Sequence, residues 1–278
     1  MAIGGGIKFF NKSQSLAADG SSMVASSGVG SEDYALDRNP ITKWRSVGSD
    51  DTTTETLTLT LPTATTIDRI LILDHNWKEF TIKYDSATDF TTVVGLDGAL
   101  GGGITETAYV DTSLYYEFAS VSATTIEITV TKTHVVDAQK YASQIIVTTE
   151  LGTLQGYPEI ADVEHKRASR NSVMLSGRML IQKSIESHDM QLNFKNYPAR
   201  SPYDADIDLM FSLFDRDDSF IVWPCGGRRG STYFSYGLRG FRLQDAYTMQ
   251  VEKPYKVKFS KNVYQNSVNM AVALAEVV

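Results

Sequence analysis

The sequence predicts a mostly β chain made of two sandwiches, and three features point there. Apolar and polar residues alternate in short runs through the first half, most regularly in TLTLTL at 56–61. Turn-forming clusters separate the runs: PTATT at 62–66, DHNWKE at 74–79 and LDGALGGG at 96–103. Only one stretch, 201–215, shows helical periodicity.

After a Ser/Gly/Ala-rich lead (13–31), strands are expected at 56–61, 68–75, 80–86, 115–121, 125–133 and 143–150. TLTLTL places three leucines on one face of a half-buried strand. Strands this short and regularly spaced imply an antiparallel sandwich or jelly roll. In the second half, 173–187 and 188–197 read as a long hairpin bent at Ser187-His188-Asp189. The helix follows, with Ser201 as N-cap, Pro202 at the first helical position and acids in the first turns. Ile207, Met210, Phe211 and Phe214 form its apolar stripe. Strands resume at 219–224, 238–253 and 254–265, and the apolar tail SVNMAVALAEVV must dock on a neighbour or on the chain's own sheet. The expected domains are 1–152, with an ordered core over about 20–150, and 153–278, a β-sandwich with a helix at about 202–215.

Charge divides near the same place. Residues 1–150 hold 10 Lys/Arg against 19 Asp/Glu, a net of −9, and residues 151–278 hold 16 against 14, a net of +2. An acidic first half disfavours nucleic acid and anionic lipid and suits a cation such as calcium. No apolar run is long enough for a membrane-spanning helix, so membrane insertion is not expected. The start, MAIGGGIKFF, lacks the basic and apolar regions of a secretory signal, and the one cysteine, Cys225, allows no internal disulfide. Folding in a reducing cytosol is therefore expected.

No constellation suggests an enzyme. His75, His134, His165 and His188 show no metal-ligand spacing. Cys225 reads as core, GGRRGS (226–231) lacks the phosphate-loop pattern, and DRDDS (215–219) reads as a solvated turn after the helix.

The densest motif is YALDRNPITKWRS, residues 34–46. Trp44 reads as a large apolar plug closing a sandwich end. Asp37, Asn39 and Thr42 can either surround a hard cation or hold an Asx-type turn by their own hydrogen bonds. With TLTLTLP and TIDRILILDHNWKEFTIKYDS behind it, this stretch resembles the discoidin or coagulation-factor C-type domain, a galactose-binding-like β-sandwich; the match is dense over 34–86 and extends over about 20–150. Arg38 stands where the family pattern has Gly. The resemblance implies a structural calcium held by Asp37, Asn39, Thr42 and Glu150, and a ligand site in loops at one end. His75, Asn76 and Trp77 combine an aromatic face with hydrogen-bonding groups that suit a sugar ring.

The order of long hairpin, helix, FIVWPCGG, RGFRLQDAY and YKVKFSKNVYQ over about 155–278 resembles tail-tube-like and distal-tail proteins of tailed phages. That resemblance implies a structural virion protein of a tail tip or baseplate. Its second domain would assemble into a ring, hexameric or trimeric, through heterologous contacts with its own copies and other tail proteins. The first domain would then decorate the outside for contact with protein or a host-surface glycan. Arg228, Arg229 and Arg239 would face an acidic partner or the channel. The alternative is a free carbohydrate-binding or adhesion protein.

Overall fold

A computed structural model describes residues 7–28, 31–39, 41–48, 50–95, 100–101, 103–154, 159–173, 179–198, 204–216, 218–223, 247–251, 256–262 and 265–276. The chain is mostly β, with antiparallel pairing and one α-helix among the described residues. It divides into two compact units, Met1–Leu151 with Trp223–Ala246 and Gly152–Val222 with Tyr247–Val278. Among the described residues no helix is long and apolar enough to cross a membrane.

The first part of the chain contributes β1 (Ile7–Asn11), β2 (Ser22–Ala25), β3 (Trp44–Arg45), β4 (Glu55–His75), β5 (Trp77–Tyr84) and β6 (Thr88–Asp89). It continues with β7 (Val93–Gly95), β8 (Leu100–Gly101), β9 (Ile104–Glu106), β10 (Leu114–Thr133), β11 (Tyr141–Thr148) and β12 (Glu150–Leu154). Two strands dominate. β4 and β10 pair antiparallel from Leu114↔Ile72 to Val130↔Glu55, with register shifts at Glu117/Val121 and Ala123/Thr125. Such irregularities bend and twist a strand, and here each strand passes from one layer of the sandwich to the other. In one layer β2 pairs with the start of β4, and the end of β10 pairs with β5, which also takes β6 and β9. In the other, β3 pairs with β11, β11 with the end of β4, and the start of β10 with β7 and then β8.

Alternation explains the inner faces. Leu57, Leu59 and Leu61 are buried while the intervening threonines are not. They join Ile70, Ile72, Phe80, Ile82, Ile126, Ile128 and Trp44 in one core. Alternation fails where both faces are covered: Ile70, Leu71, Ile72 and Leu73 are all buried. Phe10 of β1 lies against Tyr115 (ring centroids 6.1 Å) and so does Trp223 (5.3 Å). PTATT, expected as a turn, lies inside β4, because Thr65 and Thr66 pair with Ala123 and Ser122.

The rest of the chain contributes β13 (Glu159–Val173), β14 (Met179–Pro198), α1 (Asp204–Phe214), β15 (Phe220–Trp223), β16 (Tyr247–Val251), β17 (Lys256–Asn262) and β18 (Gln265–Glu276). The order is β15-β16-β18-β14-β13, with β17 also on β18. The expected hairpin bend at 187–189 is corrected: β14 is continuous there, and its hairpin partner is β13, from Glu159↔Asn193 to Val173↔Met179. The polar sequence of β13 hid it from a search for alternation. Among the described residues β18 pairs with β14 from Asp189 onward, and residues 179–188 pair there with β13. The apolar tail is β18, docked on the chain's own sheet with Val272 and Leu274 buried. In α1, Ile207, Met210 and Leu213 face inward. The expected cap residues Ser201 and Pro202 lie outside the described residues, as does the Phe214 side chain.

Trp44 is fully buried, with Nε1 donating to the Ser27 carbonyl (3.3 Å). Gly28 beside it has φ +77°, and a Cβ there would sit 2.0 Å from the Arg45 carbonyl oxygen. Trp44→Ala is expected to cost about 3–5 kcal/mol in urea unfolding, as for other buried large aromatics. Gly28→Ala is expected to cost at least about 1–3 kcal/mol from backbone strain alone. An unchanged midpoint for either variant would contradict this packing.

Candidate functional site

The 34–46 turn closes on itself. Asp37 Oδ1 accepts from the Asn39 amide (2.8 Å), Asn39 Oδ1 from the Ile41 amide (3.0 Å), and Thr42 Oγ1 donates to Asp37 Oδ2 (2.7 Å). These are Asx-type bonds that a short polar side chain makes without a metal. Arg38 holds φ 62°, a left-handed conformation that favours Gly.

Glu150 has other partners. Its carboxylate accepts from Arg69 Nη2, lies 3.7 Å from Lys8 Nζ, and shares both cations with Glu117. The Glu150 amide donates to Asp68 Oδ1 (3.0 Å). Burial pushes the Asp68 carboxyl up, against the lowering effect of Arg69. Among the described residues no group of three or more His, Cys, Asp or Glu is placed to hold a metal ion. The structure thus brings Asp37, Asn39 and Thr42 together and gives Glu150 to a half-buried ion-pair cluster.

His75, Asn76 and Trp77, expected to meet a ligand, are core residues, and this is a correction. His75 and Trp77 are fully buried, and Asn76 nearly so. The short strand-to-strand step at Asn76 turns both rings inward, where they pack with Phe80 and Tyr109. Asn76 works on the backbone instead: Nδ2 donates to Gln139 O (2.8 Å) and Oδ1 accepts from the Tyr141 amide (3.0 Å). His75 Nδ1 accepts from the Trp77 amide (3.1 Å), which puts the neutral ring's proton on Nε2. Burial, reinforced by His134, pulls the His75 pKa down to about 3.

The loops around this core are tied down by similar bonds. Lys140 is buried and donates to the carbonyls of Asp50 (2.8 Å) and Thr53 (2.9 Å). Ser46 and Lys140 exchange backbone and hydroxyl bonds, and Asp51 Oδ1 accepts from Thr133. Loops held by these bonds present what remains at this end. Exposed there are Ile41 (72%), Val47 (73%), Val110 (76%), Val135 (70%) and Val136 (74%). Nearby, β3 and β11 set Arg45 opposite Tyr141. Lys43 Nζ lies 4.4 Å and Arg45 Cζ 5.3 Å from the Tyr141 ring centroid, and Lys43 Nζ lies 2.6 Å from Asp74 Oδ2. Asp74 is one of the non-glycine residues at positive φ (48°).

The four residues of this cluster come from three separated segments, and no sequence spacing links them. Cys225, Arg228, Arg229 and Arg239 lie outside the described residues.

No protein-family model and no curated protein matches the chain. Solved structures similar to it include carbohydrate-binding modules that cover about half of its length. A mutant of chitosan-binding module 1, derived from a chitosanase/glucanase of Paenibacillus sp. IK-5, is 18% identical, with 50% of this chain and 98% of that chain covered and a TM-score of 0.39. Module 2 of the same enzyme, in complex with chitotriose, is 18% identical over 48% and 98% of the two chains (TM-score 0.38). The family 32 CBM from C. perfringens NanJ, in complex with galactose, is 18% identical over 49% and 98% (TM-score 0.38).

A self-satisfied turn makes a clear prediction. Asp37→Ala should lower stability by about 1 kcal/mol, the usual net worth of a side-chain hydrogen bond, equally in calcium and in chelator. A calcium-dependent rise in Tm that the substitution abolishes would give the turn to the cation instead.

Proposed function

We propose that the chain is a non-catalytic binding protein whose first unit takes a carbohydrate at the Lys43–Arg45–Asp74–Tyr141 cluster. The single observation behind this is the cluster's chemistry. A half-buried aromatic ring, two cations within 6 Å of it and a carboxylate within 3 Å of one of them meet at one sandwich end. Sugar hydroxyls take paired donors and acceptors of this kind, and their C–H faces pack on aromatic rings. The stiff surrounding loops lower the ordering cost of binding. Calcium has no part in this reading, since the Asp37 turn is held by protein donors.

Galactose and chitotriose are practical probes, with a glycan array for breadth. Tyr141→Ala and Asp74→Asn should each weaken the binding found for the full chain by tenfold or more while leaving the fold intact by circular dichroism. Binding unchanged in both variants would move the site elsewhere, and no binding of the intact chain to any glycan would remove the reading.

A second reading has its own observation. Residues 179–188 of β14 and their partners on β13 form a two-stranded ribbon with no third strand among the described residues. Such a ribbon is marginal alone, so a neighbouring protein surface is expected to cover it. Assembly into a phage tail tip or baseplate, as a ring of copies with other tail proteins, supplies that cover, and its site of residence would be the virion. The binding unit would then face outward. Under this reading the purified chain forms rings in negative-stain images, or is found in tailed particles by mass spectrometry. A strictly monomeric chain absent from particles would leave the free binding protein standing.

A further inference from the structure

We propose that His75, packed against His134, forms an acid-sensitive latch, which holds the loops at 107–113 and 134–140 against the end of the first sandwich and loosens them when the His75 imidazole takes up a proton. The latch is a property of the fold and holds whatever ligand binds at that end.

His75 is the last residue of β4, and both loops are hung from its immediate surroundings. Its amide donates to Thr112 O (2.7 Å), the Tyr109 amide donates to Lys78 O (2.9 Å), and the Tyr109 hydroxyl donates to Ser113 O (2.7 Å). The His134 amide donates to Asn76 O (2.9 Å), and Asn76 reaches Gln139 O. The two imidazoles lie 6.3 Å apart by ring centroid, with Trp77, Phe80 and Tyr109 around His75. Nε2 of His75 and Nε2 of His134 are both buried without a hydrogen-bond partner. At the fully buried His75 ring, that condition tolerates the neutral form and penalises the charged one.

The charged groups nearby are committed to one another or to backbone. Asp74 pairs with Lys43, and Glu79 of β5 with Lys132 of β10. Asp137 accepts from the Asp51 amide, and Lys140 is bound to carbonyls. Lys78 lies on the exposed side of β5, and Asp111 in the 107–113 loop has a partner of its own. The one group whose charge acts on His75 is His134, and it acts in the same direction as burial. A proton on His75 therefore finds no counter-charge, and the remaining relief is water, which enters when the loops lift. Those loops carry the exposed Val110, Val135 and Val136, so acid rearranges the presented surface.

The sign follows from the folded value. Between the ordinary 6.5 and about 3, the unfolded chain binds a proton at His75 that the folded chain refuses. This stability is fully present above pH 6.5 and is lost as pH falls toward 3.

The test is NMR of the full chain from pH 8 to pH 3. Imidazole signals are assigned with His75→Gln and His134→Gln, and the methyls of Val110, Val135 and Val136 report the loops. His75 should stay neutral well below pH 6.5, and the methyls should shift with the midpoint at which it finally titrates. In His134→Gln that midpoint should rise. Titration of His75 near 6.5 in the wild type would overturn the proposal. So would methyl shifts that keep their wild-type midpoint in His134→Gln while the His75 midpoint moves. If His75→Gln fails to fold, both readings remain available from the wild type and the His134 variant.

Discussion

The pairing of β4 with β10 is the constraint on which the first unit depends. Each strand is about twenty residues long, and the two share one ladder from Leu114↔Ile72 to Val130↔Glu55. A ladder of that length cannot stay in a single layer of a small sandwich without exposing half its apolar side chains. The register shifts at Glu117/Val121 and Ala123/Thr125 resolve the conflict by bending both strands between layers. Everything else attaches to the halves so made: β2 and β5 on one side, β11 and β7 on the other.

The same ladder positions the end where β4 and β10 finish together. Three connections meet there, and each is anchored by a polar side chain that has turned away from solvent. Asn76 spans two backbone groups, Lys140 caps two carbonyls, and Asp51 accepts from Thr133. Buried polar groups satisfied this way specify one loop arrangement at a desolvation cost. That leaves the aliphatic tips and the Tyr141 cluster as a stiff surface, and stiffness reduces what a ligand must spend on ordering. His75, Trp77 and His134 depart from this pattern: Nε2 of each histidine and Nε1 of Trp77 are buried and unpartnered.

Much of the fold was legible. Alternation located β4, β10 and β11, and the helix was found through its apolar spacing at Ile207 and Met210. The turn at Asp37, Asn39 and Thr42 was legible as a cluster, while its bonds, which the sequence left open between a cation and the turn itself, came from the structure. Other parts were not. PTATT has turn chemistry, yet ladder partners in β10 hold it extended. β13 is polar along its length, and it is a strand because β14 pairs with it. His75 and Trp77 look like surface residues next to Asp74 and Lys78, and the inward step at Asn76 reversed that reading.

By itself the sequence determined the β character, the apolar faces of the alternating strands, the place of the polar turn at 34–46 and the helix at 204–214, because each depends on neighbours a few residues away. Only the tertiary structure decided which polar residues are buried, where Glu150 finds its cations, and that Lys43, Arg45, Asp74 and Tyr141 meet. Those outcomes depend on which distant segment covers a residue. Strand registers and layer changes over long loops set that, and no local pattern encodes them.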